Sequence, residues 1–138
     1  MIWIMKNSTG LETLKLRTQA VREGDYYQIS GQKIWISSAQ VASKMILLAR
    51  TTPLAEVKKP SEGLSLFFID FDKDAPGLDL RRIKKMGGRA VDANEIFFDH
   101  YQVPADTLIG EEGQGFKIVS KALSVYCHDD GTYPLLMY

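Results

Sequence analysis

Short runs rich in β-branched and aromatic residues follow one another from about residue 15 to residue 100, with no helix-length stretch between them. Leu16 to Arg22, Tyr26 to Ser30, Gln32 to Ser37, Lys44 to Arg50, Leu64 to Phe71, Leu78 to Ile83 and Asn94 to Phe98 all read as half-buried strands. Glu23-Gly24-Asp25 closes a hairpin between the first two, and Ala75-Pro76-Gly77 forms a second turn. Thr51 to Gly63, with its prolines and charges, reads as an exposed loop. Strands at this spacing without intervening helices predict an all-β antiparallel barrel or sandwich. After Pro104 the period changes. Phe116, Val119, Leu123 and Tyr126 recur at steps of three and four, which predicts one short C-terminal helix. Glu111 and Glu112 favour its positive end, and Asp129-Asp130-Gly131 is expected to stop it.

At 138 residues the chain fits one domain, which divides into a segment 1–9, a β-domain 10–110 and a helix with tail 111–138. Lysine plus arginine and aspartate plus glutamate are both 17, so no overall field draws the chain to nucleic acid or anionic lipid. Cys127 is the single cysteine, which excludes an intramolecular disulfide, and the aspartates beside it argue against a reactive thiol. His100 and His128 have no partners at metal-ligand spacing, so no metal is expected. No apolar run spans a bilayer, and MIWIMKNSTG lacks the pattern of a signal peptide. The expectation is an intracellular, first of all cytoplasmic, protein, with a mitochondrial origin left open.

The stretch QKIWISS, residues 32 to 38, puts a large aromatic on the polar side of a strand. Strict alternation separates Ile34 and Ile36 from Lys33, Trp35 and Ser37. On one face, Trp35 and Ser37 would stand roughly 6.6 Å apart, a spacing that suits a planar heterocycle stacked on the indole and bonded by the hydroxyl. Periodicity by itself favours a core or interface tryptophan, the usual place of that residue on a strand. Arg81-Arg82-Ile83-Lys84-Lys85 is the one dense basic run, either a solvated strand edge or a contact for phosphates. Gly110-Glu-Glu-Gly-Gln-Gly115 lacks the glycine order of a phosphate loop and reads as a lead into the helix.

GDYYQISGQKIWISSAQVASKMILLAR, from Gly24 to Arg50, resembles the middle β-domain of the acyl-CoA dehydrogenase flavoproteins, where G-D-x-Y-x-I-N-G-x-K-x-W-I-T/S recurs. The resemblance continues through the Pro76-Gly77 turn, the M-G-x-R loop from Met86, the strand before Val103-Pro104, and LIGEEGQGF from Leu108 to Phe116. It implies FAD as cofactor, acyl-CoA as substrate, and desaturation of the thioester between Cα and Cβ. It further implies that Trp35 packs against the flavin, Ile36 contributes its backbone, and Ser37 donates its hydroxyl to the isoalloxazine edge. A second flavin-contacting segment of the family, T-E-P-x-x-G-S-D, falls on residues 5–12, where Gly10 and Glu12 fit and Met5, Lys6, Asn7 and Leu11 differ. The family's catalytic base belongs to a C-terminal helical domain, so no catalytic residue is assigned to this chain. The alternative expectation is a truncated, non-catalytic β-domain acting as a binding or assembly module. Surfaces that face helical domains in the family, including Trp35, Phe116 and Leu123, are then expected to be exposed and to favour self-association.

Overall fold

The computed structural model describes residues 2–4, 14, 16–88 and 90–126. Its elements run β1 (Ile2–Ile4), β2 (Gln19–Glu23), β3 (Tyr26–Ser37), a 3-10 turn (Ala39–Val41), β4 (Lys44–Arg50), β5 (Leu64–Asp70), β6 (Leu78–Arg82) and β7 (Ala93–Pro104). A 3-10 turn (Ala105–Thr107), β8 (Leu108–Ile109) and α1 (Gly115–Tyr126) complete them. The strands form one sheet in the order β6-β7-β3-β2-β4-β5-β8, with β1 added to β4. Most pairs are antiparallel, as expected; β1–β4 and the single β2–β4 partnership are parallel, so the sheet is mixed. The seven predicted strands are all present, except that the two expected before and after Gly31 are one continuous strand, β3. Neither β1 nor β8 was expected; each has only two or three residues, too few to show a period.

In the sheet, β3 and β5 are separated by β2 and β4, which in a flat sheet would set them roughly 14 Å apart. Yet the rings of Tyr27 and Phe67 meet edge to face at 5.0 Å. The sheet therefore curls around its interior, as an all-β barrel or sandwich requires. That interior holds Tyr27, Ile29, Ile36, Leu47, Phe67 and Ile96, among others. The opposite face of β4 and β5 is covered by a second cluster, in which Ile46, Leu48, Leu64 and Leu66 meet Val119 of α1. With apolar residues facing both clusters, β4 is buried nearly throughout, which explains the uninterrupted run MILLA in its sequence.

The helix is seated by the loop before it. A Cβ at Gly115 would lie 2.6 Å from the backbone of Leu66, so only glycine lets the first turn rest on β5. Ser65 accepts the Gly113 N–H at 2.8 Å, and the Tyr27 hydroxyl donates to Glu112 at 2.8 Å. The loop 110–115 is thus a lead into the helix, as read from its sequence. Phe116 is half-buried against the second cluster rather than exposed, because the first turn of α1 lies directly on β5. The side chain of Leu123, the helix stop at 129–131, Cys127, His128 and the segment 5–12 lie outside the described residues.

Candidate functional site at the end of strand β3

Strand β3 pairs with β7 along its length, but the register slips between Lys33 and Ile36. Lys33 faces Ile96 and Ile36 faces Asn94, so Ile34 and Trp35 together oppose the single residue Glu95. This is a β-bulge. Trp35 takes φ 63°, a left-handed conformation that non-glycine residues seldom adopt. The extra residue reverses the alternation. Lys33 points inward with none of its surface accessible, Ile36 also points inward, and Trp35 remains 49% exposed. Ser37 is half-buried, on the side of the strand away from Ile36. The structure thus keeps Trp35 and Ser37 off the core, as the sequence predicts, but removes Lys33 from their face.

Lys33 has a different task. Its Nζ donates to the Leu48 carbonyl at 3.0 Å. Leu48 lies on β4 between the pairing with β1, which ends at Leu47, and the pairing with β2, which begins at Arg50. The lysine therefore bonds a carbonyl in a gap of the described ladder. Burial pushes its ammonium down from 10.5 to about 7, since the charged form loses its hydration. The only sequence signal for this was a lysine three residues before a core isoleucine.

Residues 92–94 hold the far side of the bulge. Asn94 is fully buried; its Nδ2 donates to the Ile36 carbonyl at 3.0 Å and also to Asp92, and its Oδ1 accepts from Gln40 at 2.8 Å. Asp92 Oδ1 accepts the backbone N–H of Ser38 at 3.1 Å, where the chain takes a second left-handed conformation, φ 61°. Burial alone would raise the Asp92 pKa. Hydrogen bonds from Asn94 and from the N–H groups of Gln40, Asp92 and Ser38 outweigh it and hold the carboxyl below its usual range. Sequence reading missed this group, since neither Asp92 nor Asn94 belongs to an apolar period.

Neither the Trp35 indole N–H nor the Ser37 hydroxyl has a protein partner among the described residues. They leave the end of β3 with unused hydrogen-bonding groups among the described residues. Beside it, an open cleft of about 430 Å³ is lined by Arg82, Ile83, Lys84, Lys85, Val91 and Asp92. Of the basic run, Arg81 is held by Asp79 at 2.6 Å and lies over the Phe97 ring, while Lys85 donates to the Val91 carbonyl at 2.6 Å. Arg82 and Lys84 have no ion pair among the described residues. The run begins on β6, an edge of the sheet, where charge discourages further strand pairing. His100 stands apart from this end on β7, with Nδ1 2.8 Å from Asp99, and no cluster of three metal-ligating side chains occurs among the described residues. No described helix is long and apolar enough to cross a membrane.

This curled sheet with one helix on its back is the architecture of a flavoprotein middle domain. In the solved structure of an acyl-CoA dehydrogenase from Geobacillus kaustophilus it recurs with a TM-score of 0.80 and 35% identity, over 88% of this chain and 32% of that one. A glutaryl-coenzyme A dehydrogenase in complex with glutaryl-CoA matches with a TM-score of 0.78 and 30% identity, over 88% of this chain and 30% of that one. The family profile described as acyl-CoA dehydrogenase, middle domain, matches residues 4–101, and the chain belongs to the acyl-CoA dehydrogenase family. Among curated relatives, the cyclohex-1-ene-1-carbonyl-CoA dehydrogenase of Geobacter metallireducens is 40% identical over 124 residues, 87% of this chain and 31% of the relative. The mitochondrial short/branched chain specific acyl-CoA dehydrogenase of Bos taurus is 31% identical over 89% of this chain and 27% of its own length. The chain spans about a third or less of the length of these relatives.

Proposed function

We propose that Trp35, Ile36 and Ser37 form the cofactor-facing wall of an FAD-dependent acyl-CoA dehydrogenase site. The observation that carries this reading is the pair of unpartnered groups, the half-exposed Trp35 indole and the Ser37 hydroxyl, on a strand end held rigid from behind. A planar ring system fits such a wall, because the indole offers a face and the hydroxyl can donate to the ring edge. Ile36 contributes through its backbone, although its carbonyl already accepts from Asn94. Bound FAD supplies the hydride acceptor for desaturation of an acyl-CoA thioester between Cα and Cβ.

The wall residues Trp35, Ile36 and Ser37 provide orientation, not proton transfer. Asp92 is the ionisable group tied directly to this strand end, and its carboxylate is occupied by Asn94 and the Ser38 N–H. A carboxylate stabilised in that way is a poor base. The acceptor of the α-proton is therefore expected from residues other than these. Arg82 and Lys84 line the neighbouring cleft without an ion pair among the described residues, which supports a contact with the phosphates of a nucleotide-bearing ligand.

A second reading, a binding or assembly module without turnover, is favoured for this chain by the size of the wall. One stacked aromatic and one hydrogen bond contribute about 1 kcal/mol each, against roughly 8 kcal/mol for micromolar affinity. Absorbance of the purified protein and acyl-CoA-dependent dye reduction test both readings. Weak FAD binding without turnover in the chain alone, with FAD binding and turnover when it replaces the middle domain of a full-length relative, supports the dehydrogenase wall. Loss of FAD binding in that chimera would overturn it.

A further inference from the structure

The wall is held in a conformation that its own residues do not favour. Trp35 and Ser38 are both left-handed, at φ 63° and 61°, a conformation that is costly for residues with a side chain and persists only where the surroundings impose it. What imposes it is a short segment at the start of β7. Residues 36, 38 and 40 are each tied to residues 92–94: the Ile36 carbonyl to Asn94, the Ser38 N–H to Asp92, and the Gln40 amide to Asn94. Asn94 stands at the centre, wholly buried and using both ends of its amide. A buried amide left without partners is costly, so its geometry dictates where the Ile36 carbonyl must lie. With Lys33 fixed to Leu48 on the other side, the intervening Ile34 and Trp35 have only the bulge available.

We propose that Asn94, completed by Asp92 and Gln40, is the positioning residue that sets the orientation of the Trp35 indole. Its purpose rests on the flavin-wall reading; its geometry does not. The low carboxyl pKa of Asp92 fits a carboxylate kept charged to hold the Ser38 N–H.

The test uses the full 138-residue chain with Trp3→Phe, which leaves Trp35 as the only tryptophan reporter. Asn94→Leu should reduce the near-UV circular dichroism of Trp35 at least twofold and lower its fluorescence anisotropy, under conditions where far-UV spectra show an intact sheet. Val119→Ala, in the second apolar cluster, should lower the urea midpoint and leave the Trp35 signals unchanged. An Asn94→Leu protein that keeps the Trp35 signals overturns the proposal. If that variant does not fold, Gln40→Ala at its exposed position is read by the same signals, with an intermediate loss expected and no change overturning it. FAD quenching of Trp35, measured in the chimera with a relative, is a separate readout. Its absence there would remove the flavin reading and leave the positioning role of Asn94 to stand or fall on the near-UV signal.

Discussion

The two halves of β3 are held by different means. From Tyr26 to Ser30 the strand lies between β2 and β7, paired with β2 throughout and with β7 as far as Ile29, and Tyr27 and Ile29 alternate regularly into the core. From Lys33 to Ser37 the described ladder runs on the β7 side only, and side chains supply what backbone pairing does not. The first half is stable because its backbone groups satisfy one another. The second is shaped by Lys33 and Asn94, and that shape frees Trp35 and Ser37 from the core. The proposed cofactor wall thus lies where pairing on the β2 side has stopped.

The sharpest break between the halves should come from core truncation. Ile29→Ala is expected to lower the unfolding free energy by about 2–5 kcal/mol, read from urea denaturation, because it opens a cavity in a fully packed interior. Trp35→Ala, one face turn away from that interior, should cost less than about 1 kcal/mol, since the indole is half in solvent. Equal losses from the two would erase the distinction.

An effect within the range of the core cavity is expected from Lys33, and it has a definite sign. Its pKa is near 7 in the folded chain and 10.5 when free, so between these values the unfolded chain binds more protons. Stability should therefore rise with pH across that window, by about 3 kcal/mol between pH 7 and pH 10. Denaturation curves at several pH values check this, and Lys33→Met should flatten the slope. A wild-type curve that falls over the same window would mean that the lysine is hydrated after all.

Asp92 should act in the opposite pH range. Its carboxyl titrates below the usual 3.8, so its contribution is present above that value and is lost as pH falls through the lower folded one. Near-UV signals of Trp35 should weaken on acidification before the far-UV spectrum does. The smallest expected effect is on ligand affinity of the chain alone: Trp35→Ala should change its FAD binding less than about tenfold, as a contact of about 1 kcal/mol implies. In the chimera the same substitution should weaken FAD visibly.

How legible these halves were differs in the same way. Strand β4 carries its bounds, Lys44–Arg50, in its composition, and the all-β class follows from the succession of such runs. The helix was legible because Phe116 and Val119 stand on the face that meets β5. Gly31 looked like a break between strands. It is a point of close approach instead: at φ 141°, an added Cβ would come within 2.8 Å of the Thr18 backbone while β3 continues. The bulge was hidden because alternation assumes one residue per pleat, and one inserted residue moves Lys33 to the opposite side. Trp35 and Ser37 came through as exposed or half-exposed because Trp35 is itself a bulge residue and Ser37 lies beyond the bulge, next to the inward Ile36. Asn94 and Asp92 were invisible for a simpler reason: their partners are fixed only when distant segments meet.

That distance has a consequence for how the protein is made. Asn94 follows Ile36 by 58 positions, so at usual rates of synthesis it leaves the ribosome roughly 3–12 s later. A β2–β3 hairpin can close early, since its strands are joined by a two-residue turn. The end that carries Trp35 has no β7 to rest on during those seconds. The wall is a late product of biosynthesis, and the nascent chain presents an unpaired, tryptophan-bearing strand end for as long as β7 has yet to emerge.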